Sequence, residues 1–185
     1  MQNLQQISEQ QLQWVQVAEG RLDYLLTTAQ KTPEVAKLVI TKDSVGIGES
    51  AEGKWTIKKG GIFLPTVTIY RTQDNAQFGV STRSLVTTLE GSLELQDGRQ
   101  YKWKQAGKSW QLTTAVDGQP VVTFQEYEGE TVAAGGYLQI ALYDTPDLSV
   151  LAIFLLYLWG VRFSIRPKGT LDYAIDGAIY GLTSG

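Results

Sequence analysis

The sequence contains neither cysteine nor histidine among its 185 residues. Without cysteine it can form no disulfide and no thiolate metal site. Without histidine it lacks the commonest general base, the commonest zinc ligand and the usual group that titrates near neutral pH. These two absences exclude histidine-dependent hydrolase triads and zinc hydrolases. No other set of residues has the pattern of a catalytic centre, so we predict a protein that is not an enzyme and has no cofactor or metal.

An excess of positive charge is also lacking. The formal net charge is −3 and the isoelectric point is near 5.0, whereas nucleic-acid-binding domains usually carry a strongly basic face. The glutamine-rich stretch 1–13 has neither the basic start nor the apolar centre of a secretory signal. We therefore expect a cytoplasmic protein, with membrane association as the alternative, and no nucleic-acid partner.

Only one long apolar run is present, and it covers Pro146–Gly160. Thr145 has the side chain of an N-cap residue, and Pro146 suits a first helical position because its missing N–H would have no partner there. Asp147 places a negative charge at the positive end of the helix dipole. Gly160 stands where helices commonly end. The pattern predicts a helix over 146–160.

The predicted helix is apolar on every face, so it has to be surrounded by protein or by lipid. About 15 helical residues span roughly 22 Å, whereas the hydrocarbon core of a bilayer is about 30 Å thick and needs roughly 20 residues. The length favours a helix enclosed by the protein's own sheet. Contact with a membrane, or insertion into it, is the alternative.

The rest of the chain is a series of short alternating runs separated by turn residues. Three hairpins are marked by the dipeptides Asp74-Asn75, Asp97-Gly98 and Asp117-Gly118 between β-favouring segments. One more strand precedes the helix at Tyr137–Leu142, and the alternation of Val161, Phe163 and Ile165 predicts a strand after it. Regular spacing of this kind is typical of a barrel or a sandwich.

Together these elements predict a mainly β fold, with roughly 10–12 antiparallel strands in a barrel that encloses one hydrophobic helix near the C-terminus. A barrel of that size has an interior too wide for its own side chains to fill, and the apolar helix supplies the missing volume. The expected organisation is a polar lead-in at 1–13, one barrel domain at 14–167 and a tail at 168–185.

Four segments carry a resemblance to a known family: YKWKQAGKSWQL, DGQPVVTFQE, GYLQIALYDTPD and DLSVLAIFLLYLWGV. Together with the hairpin pattern, they resemble the tubby C-terminal-like superfamily, which includes the LURP-one-related proteins and the phospholipid scramblases. The resemblance covers about Ala36–Val161. It implies a barrel around a hydrophobic helix, and it implies binding of phosphoinositides through basic side chains, although no position here matches that family's binding residues.

Basic side chains occur in two groups along the strands. Lys102 and Lys104 share one strand face, while Trp103 between them takes the other face. Such lysines either form an ordinary solvated surface or bind phosphate groups and lipid headgroups. The candidate site for an anionic headgroup comprises Lys54, Lys58, Lys59, Lys102, Lys104 and Lys108.

Three other motifs have competing interpretations. VGIGESAEGK has glycines as in a phosphate loop, but the spacing is wrong and no Ser or Thr follows the lysine, so a strand is expected. Glu126, Glu128 and Glu130 ligate Ca²⁺, supply paired carboxylates or mark an exposed strand end or loop, and the last interpretation is favoured. The tail is expected to be a poorly ordered end, a last helical turn, or a segment that binds a partner through Leu171, Ile175 and Ile179 as anchors.

Three function classes follow from the sequence. The first is a non-enzymatic binding or scaffold domain of tubby-like architecture whose partner is an anionic phospholipid or another protein. The second is a membrane-associated protein that binds phospholipid or resembles the scramblases. The third is an enzyme that depends on carboxylates, which no feature of the sequence supports.

Overall fold

The described residues form twelve antiparallel strands and one helix. The computed structural model describes residues 1, 3, 4, 7, 12–17, 21–28, 34–61, 66–84, 89–127 and 135–164, with the backbone alone for 162–164. In chain order the elements are β1 (Leu12–Gln16), β2 (Asp23–Thr28), β3 (Glu34–Ile40), β4 (Gly46–Ser50), β5 (Gly53–Gly60), β6 (Thr66–Arg71), β7 (Gln77–Arg83), β8 (Glu90–Leu95), β9 (Gln100–Ala106), β10 (Ser109–Thr114), β11 (Pro120–Glu126), β12 (Gly135–Ile140) and α1 (Leu148–Ser164).

Each strand pairs with its neighbours in sequence, and β1 pairs with β12 to close the barrel. The three predicted hairpins are present as β6–β7, β8–β9 and β10–β11. Their turns contain Asn75, Gly98 and Gly118, each at positive φ, which is why Asn and Gly occupy these positions. The structure confirms the predicted antiparallel barrel with a single hydrophobic helix.

The helix α1 occupies the interior of the barrel. Every residue from Leu148 to Val161 is buried, on all faces of the helix. It packs against β3, β4, β5, β10 and β11. Trp159 lies between two wall residues, with ring centroids 5.3 Å from Tyr24 and 5.1 Å from Phe124. Because edge-to-face contacts of this kind add to the burial of apolar area, they fix the helix within the barrel.

The glycine-rich stretch of β4 makes room for the helix. A Cβ atom at Gly48 would lie 2.7 Å from Cγ2 of Ile153, a separation that real side chains do not tolerate. Gly48 therefore allows the backbone of β4 to approach α1 closely. The expectation that VGIGESAEGK forms a strand, not a phosphate loop, is confirmed by β4 and β5.

The predicted start of the helix was wrong. It begins at Leu148, so Thr145 is not its N-cap and Pro146 is not its first residue. Asp147 has a φ of 60°, which is not helical, and its carboxylate accepts a hydrogen bond of 2.5 Å from Arg99 Nη2. Arg99 Nη1 donates to the carbonyl oxygen of Pro146 at 3.0 Å. The β8–β9 turn therefore holds this connection out of helical geometry.

The predicted end of the helix was also wrong. The helix continues through Gly160 to Ser164, so Val161 and Phe163 are helical and do not form a strand; Ile165 lies outside the described residues. A Cβ atom at Gly160 would lie 2.6 Å from Cδ1 of Ile40. Gly160 thus serves close packing between α1 and β3 instead of ending the helix.

The side chain of Glu52, in the β4–β5 turn, lies at the N-terminus of α1. Its Oε2 accepts a hydrogen bond of 3.3 Å from the backbone N–H of Ser149. Burial raises the pKa of Glu52, the hydrogen bonds with Ser149 oppose this, and the negative charge of Asp147 raises the pKa further. The net shift of the pKa is upward, because burial destabilises the charged carboxylate more than the hydrogen bonds at the helix N-terminus stabilise it.

We expect Glu52→Gln to stabilise the protein at neutral pH. A carboxyl with a raised folded-state pKa binds its proton more readily in the folded state than in the unfolded one. Stability therefore falls as pH rises through the folded-state pKa. The glutamine side chain keeps an oxygen that can accept the hydrogen bond from the Ser149 N–H, and it carries no charge. Urea unfolding at several pH values should show a gain at pH 7 that disappears below the ordinary pKa of Glu; an equal gain at every pH would contradict this.

Only residues 1, 3, 4 and 7 are described before β1, and none is described after α1. Leu4 and Ile7, in the stretch predicted as a polar lead-in, are both buried in the core. Among the residues that the structure describes, no helix is long and apolar enough to cross a membrane. The predicted tail at 168–185, including Leu171, Ile175 and Ile179, lies outside the described residues.

Candidate functional site

An open cavity of about 700 Å³ lies on the outside of the barrel wall, across β7 to β11. We call it the outer groove. Its charged lining consists of Arg83, Lys102, Lys104 and Glu90. Its uncharged polar lining consists of Thr82, Ser84, Ser92, Gln111 and Thr113. The groove therefore combines three cations, one carboxylate and several hydroxyl groups.

Strand register brings these residues together from distant parts of the chain. One row crosses four strands, because Thr82 is opposite Ser92, Ser92 is opposite Lys102, and Lys102 is opposite Thr113. Four neighbouring strands span roughly 14 Å at the usual spacing. The hydroxyl oxygens of Thr82 and Ser92 are 3.3 Å apart and hydrogen-bonded. The row forms a continuous polar surface along the groove.

A second row runs beside the first. Glu90 on β8 is opposite Lys104 on β9, and Lys104 is opposite Gln111 on β10. Both lysine side chains of β9 are exposed, as predicted, and Trp103 between them points inward and is buried. The alternation along β9 therefore places Lys102 and Lys104 together in the groove.

The charged side chains of the groove form no ion pairs with other described residues. Within the part of the chain that the structure describes, the salt bridges join Lys54 to Glu49, Arg71 to Asp74, and Arg99 to Asp97 and Asp147. None of them involves a charged residue of the groove. Its cations therefore remain available to an incoming anion.

The buried ring of Trp103 supports the groove from below. Its Nε1 donates a hydrogen bond of 2.9 Å to Oγ of Ser81 on β7, so the indole passes beneath β8. A Cβ atom at Gly91 would lie 2.6 Å from Cζ2 of this ring. Trp103 also stacks on Trp110, with ring centroids 6.2 Å apart. This packing connects β7, β8, β9 and β10 beneath the groove, so the strands that carry the groove residues rest on a closely packed core.

The other predicted lysines lie elsewhere. Lys54 pairs with Glu49 at 3.0 Å, and Lys58 Nζ lies 5.4 Å from the centroid of Tyr70. Lys59 borders a separate cavity of about 10 Å³, which Arg83 and Trp103 also line, together with Leu158 of the helix. Lys108 is in the β9–β10 turn and does not line the groove. Since β5 and β9 are four strand spacings apart, about 19 Å along the wall, the six lysines do not form one site.

Sequence reasoning did not find Arg83, Glu90 or the hydroxyl row of the groove. The signal that could have found Glu90 and Ser92 is the Asp97-Gly98 turn, which fixes the register of β8 against β9 and so places Glu90 opposite Lys104 and Ser92 opposite Lys102. No comparable signal exists for β7 against β8. The residues 85–88 that connect these strands lie outside the described residues.

The predicted calcium ligands cannot be compared as a set, because Glu128 and Glu130 lie outside the described residues and only Glu126, at the end of β11, is placed. Among the residues with a described structure, no group of three or more acidic side chains could hold a metal ion.

Comparison with known proteins adds no assignment, since no family model, curated protein or solved structure matches this chain.

Proposed function

We propose that the protein is a non-enzymatic binding domain that takes a phosphate-bearing anion in the outer groove. One observation carries the proposal: Arg83, Lys102 and Lys104 line a single groove, and none of them forms an ion pair with another described residue. The helix fills the barrel interior, so a ligand has to bind outside or at the barrel ends. Phosphate oxygens are the acceptors that lysine and arginine side chains commonly bind.

The ligand chemistry fits either a phospholipid headgroup or a free phosphate ester. The hydroxyl groups of Thr82, Ser92 and Thr113 add neutral hydrogen bonds to the charged ones. The resemblance to the tubby C-terminal-like superfamily supports the lipid source, because members of that superfamily bind phosphoinositides. In this proposal the filled barrel is the scaffold that presents the groove, and membrane association arises when the ligand belongs to a lipid.

We expect Lys102→Glu combined with Lys104→Glu to reduce binding at least tenfold, because two attractive contacts become repulsive ones. Titration with a soluble phosphate ester measures binding of the free ligand, and flotation with vesicles that contain anionic phospholipid measures binding to the lipid. Both should lose affinity as salt is added. The matched control is Lys54→Glu with Lys58→Glu, which makes the same charge change outside the groove.

The control should bind like the original protein. Equal losses in the control and in the groove variant would show that binding depends on overall charge alone and would contradict the assignment to the groove. Failure of the original protein to bind either probe would contradict the proposed function itself.

A further inference from the structure

Among the described residues, Glu90 is the one carboxylate that lines the outer groove. It stands directly opposite Lys104 in the β8–β9 ladder, and both side chains are exposed. Residues opposite one another on an antiparallel pair have Cβ atoms about 5 Å apart, so an ion pair between them is within reach. The structure forms no such pair: among the described residues, neither side chain has an ion-pair partner within 4.0 Å.

An unpaired carboxylate beside three cations affects which anion can bind. It repels a phosphate group, and it loses part of its hydration when a ligand covers it. A ligand that brings a hydrogen-bond donor next to its phosphate removes both disadvantages, and a primary ammonium group does so best because it also carries the opposite charge. Glu90 therefore favours a ligand that is itself both anionic and cationic.

We propose that the outer groove selects ligands in which a phosphate ester stands next to a primary ammonium group. Lys102, Lys104 and Arg83 bind the phosphate oxygens, and the carboxylate of Glu90 accepts hydrogen bonds from the ammonium. This inference rests on the proposed function and gives the class of its ligand. Phosphoethanolamine is the simplest such molecule, either free or as the headgroup of a lipid.

Two soluble probes isolate the effect of the ammonium group. Phosphoethanolamine and ethyl phosphate share the phosphate ester and differ in the ammonium. The original protein should bind phosphoethanolamine about tenfold more tightly, the gain expected for one charge-assisted hydrogen bond. Glu90→Gln should bring the ratio of the two affinities close to one, because it should weaken the binding of phosphoethanolamine and strengthen the binding of ethyl phosphate.

The matched control is Glu94→Gln, an exposed glutamate on the same face of β8 that does not line the groove. It should keep the tenfold preference. Glu90→Gln could leave the ratio unchanged while the Lys102→Glu and Lys104→Glu double variant still abolishes binding. That result would overturn this inference and leave the proposed function standing. Failure of the original protein to bind either probe would overturn both.

Vesicles distinguish the two sources of the ligand. Phosphatidylethanolamine offers an ammonium that donates hydrogen bonds, whereas the quaternary ammonium of phosphatidylcholine has no N–H to donate. Glu90-dependent flotation with the first lipid and not with the second would support recognition of a lipid headgroup. Binding of free phosphoethanolamine without flotation would support a soluble ligand of the same class. Equal binding to both lipids would contradict the role of Glu90.

Discussion

Leu155→Asp is expected to prevent formation of the folded barrel. Leu155 lies in the middle of α1 and is 0% exposed, so the new carboxylate would be enclosed by apolar side chains with no route to solvent. An isolated buried charge costs several kcal/mol or more, and whole domains are typically stable by only about 5–15 kcal/mol. The variant should therefore be insoluble, or compact without fixed tertiary packing.

Circular dichroism measures this outcome. Loss of the near-ultraviolet signal, with much of the far-ultraviolet signal retained, would identify the molten form of Leu155→Asp. The matched control is Val116→Asp, since Val116 is in the β10–β11 turn and is 97% exposed. That change should alter the free energy of unfolding by less than about 0.5 kcal/mol. A Leu155→Asp protein that unfolds cooperatively with ordinary stability would contradict the enclosed helix.

Gly48→Ala is expected to destabilise the protein by about 1–3 kcal/mol through overpacking. The added methyl group would lie 2.7 Å from Cγ2 and 3.3 Å from Cδ1 of Ile153. Because Cγ2 is attached to the branched β-carbon, the side chain cannot avoid the contact by turning its far end away. Urea unfolding should show a lower midpoint with an unchanged slope.

A double-mutant cycle identifies the contact responsible. Ile153→Ala alone should cost about 2–5 kcal/mol because it leaves a cavity. In the double variant the methyl group at position 48 enters that cavity, so the combined cost should be less than the sum by about 0.5–3 kcal/mol. Ile47→Val, on the outer face of the same strand, should change stability little. Strict additivity of Gly48→Ala and Ile153→Ala would show that β4 and α1 do not meet as described.

The fold could be predicted because its signals are local. Turn residues such as Gly98 and Gly118 require positive φ, and the run from Leu148 to Trp159 is apolar on every face. These patterns determine hairpins and a surrounded helix without knowledge of distant contacts. The barrel follows from the number of strands and from the need to enclose that helix.

The limits of the helix and the composition of the groove depend on contacts between distant parts of the chain. Gly160 has the pattern of a helix end, but its role is close packing against Ile40, about 120 residues earlier. Thr145 and Pro146 have the pattern of a helix start, but the helix begins at Leu148, directly after Asp147, which Arg99 binds from the β8–β9 turn. Likewise, Lys102 and Lys104 could be placed on one face, whereas the groove that they line together with Arg83 extends over several strands.

The enclosed helix can be tested most directly by thiol labelling, because the chain has no cysteine of its own. We propose single substitutions Leu155→Cys and Val116→Cys, each treated with a maleimide under native conditions and in denaturant. We expect Val116→Cys to react at once in both conditions, whereas Leu155→Cys should react only when the protein is unfolded. Rapid reaction of Leu155→Cys in the native protein would contradict the central claim that α1 fills the barrel.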